Sequence, residues 1–329
     1  VMIVARAPFR ISFVGGGTDY PIFFRRYGGA VVLTAIDRYS YIAVHQLSAF
    51  YPYRYRISYA RTELCHAATE VEHPLVRECL LRAAPDARLE ITHIADLPGG
   101  CGLGSSSAFT VALLHALYGW QERHPEPRQL AEEAIEIERE RVGDPGGCQD
   151  QYAAAFGGWL RLDFEPTGAV RVKALAPTRE RIAAVEEAML LLYTGALKAA
   201  TDVGRQMKVA ATERTDLLLQ LRDLVDPFER SLLSDAPLSA LGELLDRAWQ
   251  LKRQLAPGIT FPALEDAYAC ARAEGAWGGK LLGAGGRGFL LVLAPVERHQ
   301  AIVRRLSPWP AIRVRTGADG SRIVYRDER

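Results

Sequence analysis

The chain has 329 residues, 49% hydrophobic and 24% charged, which supports one large or two ordinary globular domains with a sizeable core. A formal net charge of +1 creates no field for nucleic acid or an anionic membrane, so neither is expected as a partner. Five scattered cysteines, never spaced C-x-x-C, argue against a disulfide framework and a structural zinc site. No apolar run reaches membrane-spanning length, and the expectation is a soluble cytoplasmic protein, monomeric or homodimeric. Only five of the 40 basic residues are lysine and asparagine is absent, which reads as compositional bias.

In chain order, "MIVARAPFRISFVGGG" reads as two β runs that end in glycines, followed by the turn-like "GGGTDYP". Residues 30–47 and 53–60 alternate as strands do, 72–84 is helical and 87–97 is another strand. The glycine loop "LPGGCGLGSSSAF" (97–109) leads into a strongly periodic helix over 105–121, with serines placed as N-caps. A helix over 128–142, the loop "GDPGGCQD" and a short helix ending at a glycine pair complete the first half. From about 166 the texture changes: a buried strand at 188–195, long helices near 199–226, 237–255 and 263–274, then strand, glycine turn and strand over 278–294. "VERHQAIVRRL" is a helix, and "AIRVRT" and "RIVYR" are closing strands. Two α+β domains with a boundary near 160–175 follow.

The loop at 98–107 is built for phosphate. Glycines between a strand and a helix let backbone N–H groups and the positive helix end converge on one spot. It is not a Walker loop, because Ser105 stands where lysine is required, nor a dinucleotide fingerprint, because Ser107 takes the place of the third glycine. A second loop, Gly283-Ala-Gly-Gly-Arg-Gly288, matches G-x-G-x-x-G by letter but opens a strand instead of a helix, so a nicotinamide enzyme is disfavoured.

Two carboxylates stand out. At 100° per residue, Glu138 shares a helix face with Ala131, Ala134, Ile135 and Val142, while Glu132, Glu133, Glu136 and Glu140 point away. A carboxylate in an apolar stripe needs a cation, a metal or hydrogen bonds; a buried salt bridge and a metal ligand are both open. Asp150 lies near the start of the next short helix, as an N-terminal cap or as a base beside a metal.

Three segments in this order, "PFRISFVGGGTDY", "PGGCGLGSSSA" and "KLLGAGGRGFLL", resemble the small-molecule kinase superfamily named for galactokinase, homoserine kinase, mevalonate kinase and phosphomevalonate kinase. The resemblance implies an α+β two-domain GHMP kinase fold: a ribosomal protein S5 domain 2-like N-terminal domain over 1–165 and a ferredoxin-like C-terminal domain over 166–329. It implies ATP and Mg²⁺, and a phosphotransferase acting on an alcohol group of a small molecule. ATP would lie against Pro98, Gly100, Gly102, Leu103, Gly104, Ser105, Ser106 and Ser107, with Ser106 and Glu138 as metal ligands. Asp150 would be the catalytic base, and Arg10 a second catalytic residue in the sugar pocket. Substrate contacts would come from Arg10, Gly16, Gly17, Thr18, Asp19, Gly147, Asp150, Lys198, Gly285 and Gly286.

Galactokinases read Gly-Glu-His-Thr-Asp-Tyr where this chain has Gly15-Gly16-Gly17-Thr18-Asp19-Tyr20, which argues for a bulkier sugar than galactose. The wider pattern, including "EHPLVREC" and "GGCQDQYAAAFGG", looks most like the heptose-phosphate kinases, which phosphorylate an anomeric hydroxyl on the way to bacterial GDP-heptose and surface polysaccharides. A phosphorylated sugar asks for cations at its far end, and Arg10, Arg25, Arg26, Arg141 and Lys198 are the candidates. Another sugar 1-kinase, such as an L-fucokinase-like enzyme, and a non-catalytic sensor on the same fold are the alternatives.

Overall fold

The computed structural model describes residues 1–195 and 200–327. The first half runs β1 (Met2–Val14), α1 (Pro21–Tyr27), β2 (Gly29–Gln46), β3 (Tyr55–Ser58), β4 (Thr62–Cys65), α2 (Pro74–Ala83), β5 (Leu89–Ala95), α3 (Ser105–Trp120), α4 (Pro127–Ile135) and α5 (Gln149–Phe156). Next come β6 (Trp159–Phe164), β7 (Val170–Leu175), α6 (Arg179–Ala188), β8 (Met189–Tyr193), α7 (Ala200–Glu213), α8 (Thr215–Asp223) and α9 (Val225–Leu232). The chain continues through α10 (Leu238–Lys252), α11 (Pro262–Ala273), β9 (Gly278–Leu281), β10 (Phe289–Leu293), α12 (His299–Arg305), β11 (Ala311–Ile312) and β12 (Arg322–Arg326).

The two β runs expected at the start are one 13-residue strand. Its pairing with β2 slips between Pro8 and Arg10 and again between Ser12 and Val14, so proline and the local twist are absorbed by bulges. β2 is long enough to fork the first sheet: residues 40–46 pair with β5, and residues 29–34 pair with β6. Ile3, Ala5 and Ala7 alternate inward, whereas from Phe9 onward both faces of β1 are buried because helices of the second half cover it. α3 is apolar on every side, packing against β1, β2, α2, α4 and α5, which makes it the central helix of this core.

The second sheet has the order β11-β8-β10-β9 with all pairs antiparallel, and the chain passes through it as βαββαβ, a ferredoxin-like arrangement. Two segments beyond the expected division at 165/166 belong to the first sheet: β7 pairs with β6, and β12 pairs with β1. Among the described residues, no helix is long and apolar enough to cross a membrane.

Candidate active site

The cavity between the two halves measures about 390 Å³. One wall is the 98–107 loop, which turns into α3 at Gly104, a residue with φ of 73°. β1 and the turn after it supply the floor, the 136–150 segment the second wall, and β9 with its following glycine loop the wall from the second half.

Arg10 and Asp150 meet in a bidentate pair: Nε donates to Oδ1 at 2.7 Å and Nη2 to Oδ2 at 2.8 Å. The third corner of the guanidinium donates to the Gly102 carbonyl at 2.8 Å, so one side chain ties Asp150 to the glycine loop. Asp19 is buried and accepts from the amides of Gly17 (3.0 Å) and Gln149 (3.2 Å). Burial, with the nearby charge of Asp150, raises its carboxyl above the ordinary range.

The expected helix over 128–142 is α-helical only to Ile135. From Glu136 to Arg141 it widens into a π-helical turn, in which the Val142 amide reaches back to the Ile137 carbonyl. Glu138 is nonetheless buried, at 1% exposure. Its Oε2 accepts from Ser107 Oγ and Gln151 Nε2, both at 2.9 Å, and Arg139 Nη2 lies 3.5 Å away. Oε1 is buried without a hydrogen-bond partner, and burial raises the carboxyl to about 7. A bare carboxylate oxygen beside a serine-lined phosphate loop fits a hard divalent cation, which takes one or two carboxylates and completes its shell with phosphate and water.

Of the residues expected here, Arg10, Gly16, Gly17, Asp19, Gly100, Gly102, Gly104, Ser105, Ser106, Ser107, Glu138, Gly147, Asp150 and Gly285 line this cavity. Four lie off it. Pro98 is exposed at the start of the loop, away from the cavity, and Leu103 is wholly buried and offers its carbonyl to the Arg10 amide. Thr18 spends its hydroxyl on the Gly15 and Ala30 carbonyls, which closes the turn after β1. The Gly286 amide bonds the Ile259 carbonyl. Lys198 lies outside the described residues. Of the two serines, Ser107 touches Glu138, while Ser106 is exposed at the cavity rim. Arg141 is held by Glu136, and Arg25 lines a separate cavity of about 480 Å³ behind Tyr20.

Sequence reasoning passed over Arg139, Lys252, Lys280, Ser12 and Gln149, all of which line the site. Arg139 fastens the 143–150 loop by donating twice to the Gly147 carbonyl, at 2.9 and 2.7 Å. A signal for the lysines existed: Lys280 interrupts the apolar stretch "GGKLLG" in a chain nearly devoid of lysine.

The two glycine loops touch through backbone. A Cβ on Gly102 would come within 2.6 Å of the Leu282 carbonyl oxygen, and one on Gly283 within 2.5 Å of the Gly102 Cα. Both residues also have positive φ, 81° and 75°, so only glycine meets both demands.

Residues 73–158 match the family described as GHMP kinases N terminal domain, and residues 232–308 match GHMP kinases C terminal. The D-glycero-alpha-D-manno-heptose 7-phosphate kinase of Campylobacter jejuni is 24% identical over 92% of this chain and 93% of its own length. The galactokinase of Pyrococcus furiosus is 25% identical over 91% of each. Among solved structures, a D-glycero-D-manno-heptose 1-phosphate kinase from Bacteroides thetaiotaomicron superposes with a TM-score of 0.73 at 24% identity over 100% of both chains. Lactococcus lactis galactokinase complexed with galactose superposes with a TM-score of 0.76 at 15% identity, covering 98% of this chain and 95% of its own. With both family domains in place around a glycine loop and a carboxylate–guanidinium pair, the chain belongs to the GHMP kinases, phosphotransferases that use ATP as donor.

Proposed function

We propose that this kinase phosphorylates the anomeric hydroxyl of D-glycero-α-D-manno-heptose 7-phosphate to give the 1,7-bisphosphate, the step that commits a heptose to nucleotide activation for surface polysaccharide. The observation that carries the reading is the Arg10–Asp150 pair, set on the floor of the cavity within one hydrogen bond of the glycine loop. The likeness to the Campylobacter jejuni kinase over nearly the whole chain supports the choice of sugar.

Phosphoryl transfer asks a protein mainly for positioning and charge neutralisation. Amides of the 98–107 loop and the N-terminus of α3 hold the ATP phosphates. Glu138 and Ser106 would hold Mg²⁺, with Ser107 and Gln151 fixing the carboxylate, and the ion would supply charge neutralisation for the phosphates of ATP. Asp150 accepts the proton of the anomeric hydroxyl as its oxygen attacks the γ-phosphorus and the bond to the β-phosphate oxygen breaks. Arg10 holds both Asp150 oxygens in one plane, so the carboxylate presents a fixed lone pair to the hydroxyl. Asp19 and the backbone at Gly16 and Gly17 bound the sugar.

The test is an ATP-consumption screen over hexoses, hexose phosphates and heptose 7-phosphates, with the new phosphate located by ³¹P NMR. Heptose 7-phosphate is expected to lead and to gain its phosphate at C1. A preference for an unphosphorylated sugar such as L-fucose, or a phosphate at another carbon, overturns the assignment.

A further inference from the structure

Charge accounting inside the cavity leaves two buried cations over. Asp150 is engaged by Arg10, Asp144 faces Arg139 at 3.3 Å, Glu138 also faces Arg139, and Asp19 is engaged by backbone amides. Arg287 rests on the Thr194 carbonyl and the Phe261 ring. Lys252 and Lys280 remain, at 5% exposure each, and among the described residues neither meets a carboxylate. Lys252 reaches from the end of α10 to the carbonyls of Leu281 (2.9 Å) and Gly283. Lys280 reaches from β9 to the Phe13 carbonyl at 2.9 Å, at the register slip that interrupts the β1–β2 ladder. Each ammonium has three N–H donors, so one remains on Lys252 and two on Lys280, and both side chains line the cavity.

Next to the Phe13 carbonyl, the Ser12 hydroxyl is buried, lines the same cavity and has no hydrogen-bond partner. Gln149 Oε1, in the same cavity, is likewise buried and unpaired. Burying two ammonium groups without an ion pair is expensive, and here they repel each other and Arg10, offset only in part by the attraction of the buried Asp19 carboxylate for Lys280. A purely structural tie to backbone carbonyls needs no charge. An anion drawn into this corner removes the penalty and takes up the spare donors at once.

We propose that Lys252 and Lys280 of the second-half wall, with Ser12 of the floor, form a phosphate subsite that holds the phosphomonoester the acceptor already carries. This rests on the reading of the substrate as a sugar phosphate. The subsite lies on the Arg10–Asp19 side, where the acceptor binds, whereas the metal-fitting oxygen of Glu138 lies with Ser107 at the glycine loop. Of the three side chains, Lys280 discriminates: its loss removes a charge and two free donors, while Lys252 also supports the closing loop.

The experiment is isothermal titration of inorganic phosphate into the full-length protein saturated with Mg²⁺ and AMP-PNP, whose γ-phosphate fills the transfer position. The wild type is expected to bind phosphate, Lys280→Met to weaken it about tenfold or more, Lys280→Arg to restore part of it and Ser12→Ala to cost a few-fold. Ser12→Ala deletes a hydroxyl that bonds nothing in the protein and so keeps the fold as a control. Phosphate titrating alike into wild type and Lys280→Met overturns the proposal. Phosphate that binds with ADP but not with AMP-PNP assigns the donors to the transferred phosphate and overturns the acceptor assignment. A Lys280-dependent phosphate site in an enzyme that ignores heptose 7-phosphate rejects only that sugar. Turnover of heptose 7-phosphate with an unchanged KM in Lys280→Met rejects the subsite and keeps the sugar.

Discussion

Arg10 and Asp150 stand 140 residues apart in sequence and meet through two hydrogen bonds of 2.7 and 2.8 Å. The pair spans β1 and the first turn of α5, so the geometry of Asp150 is set where the first strand meets the fifth helix. Asp150→Ala is expected to keep the fold and ATP binding while lowering kcat by about 10²–10⁴-fold, the range for loss of a positioned base. Near-wild-type kcat would refute the role. Arg10→Lys is expected to lower kcat too, because an ammonium cannot reproduce a fork bonded to Asp150 and Gly102 at once.

Glu138→Gln tests the metal assignment. The amide keeps the volume and removes a buried carboxylate that is costly when empty, so Tm is expected to hold or rise. The Mg²⁺ concentration for half-maximal activity is expected to rise by tenfold or so, since the charged ligand is gone. A Mg²⁺ titration superimposable on the wild type would place the ion elsewhere.

Lys280 makes stability depend on pH with a definite sign. Burial, then repulsion by Arg10, lowers its ammonium from 10.5 to about 7, with Asp19 opposing. Between those values the unfolded chain carries a proton that the folded one has shed, so stability rises with pH across the window from about 7 to 10.5. Below about 7 both states are charged and the full desolvation penalty applies. Lys280→Met is expected to be more stable than wild type near neutrality and to flatten this rise. Chemical denaturation at a series of pH values reads it, and parallel pH profiles for the two proteins would contradict the assignment.

Gly283→Ala probes the contact between the loops. Left-handed backbone at 75° costs an alanine about 1–2 kcal/mol, and its Cβ would also press on Gly102 at 2.5 Å. Tm is expected to fall by several degrees and KM for ATP to rise, because the displaced neighbour is part of the loop proposed to hold the ATP phosphates. A drop in Tm with unchanged KM for ATP would mean that the loops are not mechanically linked.

The sequence made the 98–107 glycine loop legible as a wall of the cavity because its cause is local: glycines between a strand and a helix let the backbone turn whatever surrounds them. Glu138 was legible for a related reason, as a charge out of phase with its helix. The π-helical turn that carries it was not, since i→i−5 winding leaves no mark in apolar spacing when only six residues adopt it. Which serine faces Glu138 depended on that turn as well. The places of β7 and β12 in the first sheet, and the burial of Lys252 and Lys280, are set by partners far along the chain, which periodicity does not see. Thr18 illustrates the converse: the family resemblance points to it as a substrate contact, whereas its hydroxyl closes a turn.

The contact of Gly102 with Gly283 also restricts how this cleft can diversify. With no side chain between the backbones, a larger residue on either loop has nowhere to go unless the other retreats, and Gly288 adds a third such point against the Cys101 carbonyl. Substitutions at these positions are therefore admissible only as matched sets. New acceptor specificity must be sought in the flanking walls, around Tyr20, Met207 and Lys252, where side chains can change one at a time.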